Sequence, residues 1–184
     1  MKKYQIIYAD PPWNYTATSN KIPCRAKDGQ PYNAMRMVDI YGLNVNDIAD
    51  KNCALFLWAT APLLPEALYL IKCWGFDYKT VGFTWVKKNK KADSWFWGMG
   101  SWTRSNPEFC LLATKGNPKS NSHSIHSIID SKIMGHSIKP VEVYKKIIEL
   151  CGDLPRIELF ARQKTEGWDV WGNEVDSDIE LNKI

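Results

Sequence analysis

The chain has 184 residues, of which 45% are hydrophobic and 24% charged, and its net charge is +4. That balance excludes a disordered chain, and the length is that of one domain with a sizeable core. No apolar run reaches the ~18–20 residues needed to span a bilayer, and Met1-Lys2-Lys3-Tyr4 opens no signal core, so an untargeted, cytoplasmic protein without membrane contact is expected.

Tyr4–Ala9 reads as a short strand that ends at Asp10-Pro11-Pro12, because proline gives no N–H to a sheet. Residues 14–42 are polar and read as a long loop of the functional kind. Cys53–Trp58 is a continuous apolar run, the pattern of a strand covered on both faces. Pro62–Trp74 follows a helical period with Leu64, Leu68 and Ile71 on one side and Gly75 as its stop. Asp77–Val86 is strand, 87–106 a second long loop, and Phe109–Thr114 strand again. Pro140 opens a helix to about Leu150, with Val143, Ile147, Ile148 and Leu150 apolar and Gly152 at its end. Arg156–Ala161 is the last strand, and an acidic tail covers about 175–184. This alternation predicts a single α/β domain over 1–184, a mostly parallel sheet with helices on both faces. Ligands bind such sheets at the carboxyl ends of strands, which points to residues 10–13 and 161–162.

Five cysteines are scattered without C-x-x-C spacing, which fits a reduced compartment and no zinc site. His123 and His126 lack a third ligand at metal spacing, so no metal is expected. Lys87, Lys88, Lys90 and Lys91 form a cluster flanked by Trp85, Trp95, Trp97 and Trp102. Taken alone, that pattern is first read as a solvated loop with a few core tryptophans. It also suits nucleic acid, where cations hold phosphate and flat rings stack on bases.

Asp10-Pro11-Pro12-Trp13 is the most informative tetrapeptide. As plain structure it ends a strand. As chemistry it answers a specific need. An adenine amine is a poor nucleophile because its lone pair is delocalised into the ring. Two acceptors that take its two hydrogens rehybridise it toward a tetrahedral amine. The Asp10 carboxylate can be one, and the Pro11 carbonyl the other. Trp13 can stack on a base taken out of the helix. Orientation and electrostatics then suffice, with no metal and no covalent intermediate.

This D-P-P-W resembles the catalytic motif of the N6-adenine methyltransferases, in particular the family that includes the catalytic subunit of the eukaryotic mRNA adenosine methyltransferase and small phage and bacterial relatives. Further blocks follow in that family's order. They are Leu55–Thr60; then Trp85–Asn89 with Gly98–Arg104, Glu108–Leu111 and Lys115–Pro118; then His136–Glu142; and Glu158–Arg162 with Gly167-Trp168 and Gly172–Glu174. They cover residues 4 to about 174. The resemblance implies a Rossmann-like class I fold dependent on S-adenosyl-L-methionine, with the motifs permuted so that the catalytic strand precedes the cofactor strand.

It also implies site residues. Lys139, a cation before a helix start, would meet the methionine carboxylate of the cofactor, rather than being a plain solvated lysine. Asn173 and Glu174 would take the ribose hydroxyls, and Arg162 would line the same region. His136 and Ser137 would border the pocket, as would Phe160, although core packing is the first reading of that ring. Asp10 would also touch the methionine amino group. One departure stands out: the turn Phe160-Ala161-Arg162 carries alanine where a glycine often stands.

Lys87, Lys88, Asn89, Lys90, Lys91, Trp102 and Arg104 are the expected nucleic-acid contacts. No separate target-recognition domain is visible, and a compact enzyme of this size looks like the DNA-modifying branch. The expected activity is therefore adenine-specific DNA methylation. RNA adenine methylation is the alternative, and a non-catalytic nucleic-acid-binding partner subunit is the alternative of another class. The intact D-P-P-W argues against the last. No G-x-G-x-x-G is present, which argues against a dehydrogenase. Cytosine N4 methylation more usually has serine first in the motif, so Asp10 favours adenine. Oligomeric state is open.

Overall fold

The computed structural model describes residues 2–13, 35–100, 102–135 and 138–181. Seven strands form one sheet: β1 (Tyr4–Ala9), β2 (Ala49–Ala59), β3 (Asp77–Lys88), β4 (Glu108–Lys115), β5 (Ile128–Lys132), β6 (Arg156–Leu159) and β7 (Asp169–Trp171). Their order across the sheet is β5-β3-β4-β2-β1-β6-β7. Only β4 runs against its neighbours; the pairs β1–β2, β1–β6, β6–β7 and β3–β5 are parallel. The expected Rossmann-like α/β architecture is present, and so is the permuted order. The strand carrying the D-P-P-W comes first in the chain, yet it lies beside β6, which comes sixth.

Side chains of a strand alternate between faces, and here both faces are covered. Ile7, Leu55 and Leu57 pack on one side with α1 (Met37–Tyr41), α2 (Val45–Ile48) and α3 (Leu64–Cys73). Ile6, Tyr8, Phe56 and Trp58 pack on the other with α4 (Glu142–Cys151), through Val143 and Ile147. This is why Cys53–Trp58 shows no polar alternation: every residue of it is buried.

Several boundaries differ from expectation for physical reasons. Part of the expected 14–42 loop is helical, since Met37–Tyr41 forms α1 around the buried Ile40, while 14–34 lie outside the described residues. The helix predicted from Pro62 begins as a short 3-10 turn, Ala61–Leu63, before α3. Its buried stripe is Ala67, Leu70 and Ile71, and Leu68 faces outward. β5 and β7 were not expected: one alternates through a Ser/Asn-rich stretch and the other has three residues, too short for a period. The acidic tail is fastened down as far as 181. Asp178 pairs with Lys164 and accepts the Val170 N–H at 2.9 Å, and Ile179 and Leu181 pack on the core. Among the described residues no helix is long and apolar enough to cross a membrane.

Candidate active site

Parallel register assembles one edge of the sheet. Ala9 pairs with Leu159, and Leu159 with Trp171, so the turns that follow β1, β6 and β7 lie side by side. They begin at Asp10, Phe160 and Gly172. The chain leaves β1 for β2 on one flank and returns as β6 on the other, which makes β1/β6 the switch point where such sheets open a crevice. The antiparallel β4 brings its first residue, Glu108, to the same edge, because Phe109 pairs with Ala59 at the carboxyl end of β2.

A buried chain of charge occupies this edge. Lys139 Nζ lies 2.6 Å from Asp10 Oδ2 and 3.3 Å from Glu108 Oε2, and its side chain is 8% exposed. Its Nζ also sits 5.5 Å from the centre of the Trp58 ring. Glu108 in turn contacts Lys87 through Oε1. Moving an ammonium out of water costs several kcal/mol unless opposite charge replaces the solvent. Here two carboxylates and an indole face replace it. Burial alone would lower the Lys139 ammonium, but Asp10 and Glu108 outweigh it and hold Lys139 protonated above its ordinary range. Burial alone would raise Glu108, but Lys139 and Lys87 outweigh it and pull Glu108 down. For Asp10 burial prevails over the Lys139 ammonium, and its carboxyl sits above the ordinary value. The Asp10 side chain keeps 23% of its surface open, so it can still accept from a ligand.

The turn after β1 is rigid. Trp13 N–H donates to the Pro11 carbonyl at 2.8 Å, and Trp13 Nε1–H donates to the Trp58 carbonyl at 2.9 Å. The Pro11 carbonyl retains a second lone pair. Trp13 packs into the core and is 8% exposed, so its main observed role is to pin this turn.

On the β6/β7 side, Phe160 adopts φ 63, a left-handed conformation that costs a non-glycine residue about 1–3 kcal/mol. Its ring lies 6.5 Å from Trp74, stacked, and 5.4 Å from Trp171, edge-on. The strained turn replaces the missing glycine. The glycine required by close approach stands opposite instead: a Cβ on Gly172 would lie 2.3 Å from the Ala161 carbonyl. The approach sets Arg162 Nε 3.6 Å from Glu174, with Asn173 exposed beside it. His136 and Ser137 lie outside the described residues.

Sequence reasoning assigned no role to two acidic residues that the structure places here. Glu108 appears in a matched block, but only the reversed direction of β4 brings it to this edge. Glu158, opposite Tyr8 in register, is 9% exposed and accepts the Tyr144 hydroxyl at 2.9 Å. Burial pushes its carboxyl up to about 7 against that hydrogen bond, with the Asp10 charge adding to the rise. Tyr8, Tyr144 and Trp168 pack edge-on around it, and Tyr8 Oη accepts Trp58 Nε1–H at 2.7 Å.

The expected nucleic-acid residues divide into two groups. Lys87 belongs to the charge chain, and Lys88 pairs with Asp93 and Asp130. Asn89 and Arg104 make hydrogen bonds within the loop, Asn89 to Ser94 and Trp95, Arg104 to the carbonyls of Trp97 and Gly98. Lys90, Lys91 and Trp102 are exposed. Among the described residues no three His, Cys, Asp or Glu side chains gather as metal ligands do.

Comparison with known proteins matches the sequence that builds this edge to a family. The MT-A70 family model matches residues 4–174. The chain is 33% identical to the type II methyltransferase M.MunI of Mycoplasma sp, over 98% of this chain and 82% of that protein. It is 28% identical to the N(6)-adenosine-methyltransferase catalytic subunit METTL3 of Homo sapiens, over 95% of this chain but only 28% of that much longer protein. It is also 25% identical to the non-catalytic subunit METTL14 of Drosophila melanogaster, over 94% of this chain and 47% of that protein. With the D-P-P-W turn, the buried Lys139 and the turns after β6 and β7 all inside the matched span, the chain belongs to the MT-A70 family of methyltransferases.

Proposed function

We propose that this protein methylates the N6 amine of adenine in DNA, using S-adenosyl-L-methionine as donor. The observation that carries the reading is the Asp10–Lys139 contact at the switch point, with the Pro11 carbonyl one residue away. The edge fits such a donor on its own chemistry. Lys139 has three N–H donors and spends two on Asp10 and Glu108, so one is left for a ligand carboxylate, while Asp10 turns to the positive charge that such a ligand carries beside it. The close approach of Gly172 to Ala161 shapes a narrow turn with Arg162, Asn173 and Glu174 at its mouth. Lys139 would hold the methionine carboxylate, Asp10 the amino group, and Asn173 and Glu174 the ribose hydroxyls. When bound, the sulfonium supplies an electrophilic methyl group.

The chain's own residues do the rest. Asp10 and the Pro11 carbonyl accept the two amine hydrogens and aim the lone pair. Asp10 stabilises the positive charge that develops on nitrogen. Lys139 keeps Asp10 oriented, and Glu108 keeps Lys139 in place. Trp13 pins the turn, and any stacking on the base uses the small open part of its ring. The base must be outside the stack to reach this edge.

DNA is favoured over RNA because the type II methyltransferase is matched along 82% of its length and METTL3 along 28%. The test is transfer of a labelled methyl group to unmethylated DNA and to RNA side by side, with Asp10→Ala as control and digestion to nucleosides. N6-methyladenine in DNA, abolished by the substitution, is the expected result. Label in RNA alone would overturn the substrate, and label on cytosine would overturn the target atom.

A further inference from the structure

Met99 is 90% exposed and Trp102 is 99% exposed, in a chain whose other large apolar side chains are mostly buried. They stand at the tip of a hairpin between β3 and β4. Trp97, 54% exposed, lies on its arm. Among the described residues nothing covers these faces, and large apolar groups held in water at one tip mark a contact surface.

The tip is rigid. Gly98 and Ser105 close it as a bridge, with Gly98 N–H to the Ser105 carbonyl at 2.7 Å. Arg104 donates to the carbonyls of Trp97 and Gly98, both at 2.9 Å. A Cβ on Gly100 would lie 1.9 Å from the Thr103 carbonyl, so the turn accepts only glycine there. At the base, Asn106 is 7% exposed and bonds the N–H and the carbonyl of Lys87, both at 2.9 Å. Lys87 touches Glu108, and Glu108 touches Lys139, which holds Asp10. The projection is thus built onto the same scaffold as the catalytic turn.

We propose that Met99 and Trp102 form a wedge that enters the base stack of duplex DNA and fills the gap left by the extruded adenine. This rests on the reading above that the substrate is DNA with its target base outside the stack. Three observations favour a nucleic-acid occupant. The exposed Lys90 and Lys91 lie on the same loop and suit phosphate. The chain carries a net +4. A preformed apolar tip of Met and Trp has the shape and chemistry of side chains that unstack base steps.

The test needs no recognition sequence. Binding of a mixed-sequence duplex is compared with binding of the same duplex carrying one abasic site, by fluorescence anisotropy. A wedge gains when the gap is already present, so the wild type should prefer the abasic duplex by about fivefold or more. Trp102→Ala should bind both duplexes alike, and Trp102→Phe should keep most of the preference. Equal binding of both duplexes by the wild type would overturn the wedge. So would a preference that survives Trp102→Ala together with Met99→Ala, or a change in sedimentation of the free protein on Trp102→Ala, which would make the tip a contact between copies. Absence of methyl transfer with the preference intact would strike the enzymatic reading and leave the wedge standing.

Discussion

Two regions on the rim of this sheet break the ordinary rule of burial in opposite directions. Around Asp10, Lys139 and Glu108 the protein buries charge; at Met99 and Trp102 it exposes apolar surface. Each arrangement costs free energy that a protein concerned only with stability would avoid. The first is offset locally, because each charge has an opposite partner within a few ångströms. The second has no partner among the described residues. The contrast teaches that the buried charges are a finished, preorganised device, whereas the hairpin is half of a contact whose other half comes from outside.

The comparison can be broken most severely at Lys139. Lys139→Met takes from Asp10 its buried cation and leaves Glu108 with Lys87 alone, and a loss of about 3–5 kcal/mol in unfolding free energy is expected. Combining it with Asp10→Ala should cost less than the sum of the two single changes, because the two sites share one interaction. Denaturant titration of the four proteins measures this, and strict additivity would contradict the shared role.

Glu158 sharpens the comparison, because it is a buried carboxylate with no salt-bridging cation among the described residues. Its carboxyl stands at about 7 in the folded protein, against about 4.5 when unfolded. The folded state therefore binds the proton more tightly. The contribution of this group is fully present below about 4.5 and is lost as the pH rises through about 7, a difference of about 3 kcal/mol. Glu158→Gln keeps an acceptor for the Tyr144 hydroxyl and removes the charge. Its melting temperature should match the wild type near pH 5 and exceed it near pH 8.5. A constant difference across that range would contradict the buried charge.

The smallest effect is expected at the hairpin tip. Trp102→Ala removes a side chain with almost no contacts, so unfolding free energy should change by no more than about 0.5 kcal/mol. A larger loss by thermal melting would mean that the tip serves the fold after all.

Much of this arrangement is legible in the sequence, and the reasons are specific. β1, β2 and α4 are visible because their apolar patterns follow the period of the element and the cover over them. The D-P-P-W is visible because its chemistry lies within four consecutive residues. Lys139 is visible through its block, and the structure adds that its partners are Asp10 and Glu108. Strand direction is not legible from pattern, since an antiparallel β4 and a parallel one share the same apolar run. That is why Glu108 went unassigned. Trp85, Trp95, Trp97 and Trp102 read as one set beside the lysines, yet Trp85 is buried while Trp102 is exposed. Only tertiary packing separates them.

The most direct measurement separates chemistry from binding at Asp10. Single-turnover methyl transfer would be followed in wild type and Asp10→Ala, with DNA and S-adenosyl-L-methionine both saturating and cofactor occupancy measured in the same samples. If Asp10 aims the amine, occupancy can be restored by concentration while the rate of N6-methyladenine formation stays down by about a thousandfold or more. If the rate returns to that of the wild type once the site is filled, Asp10 serves only to bind, and the role assigned to it in the transfer is wrong.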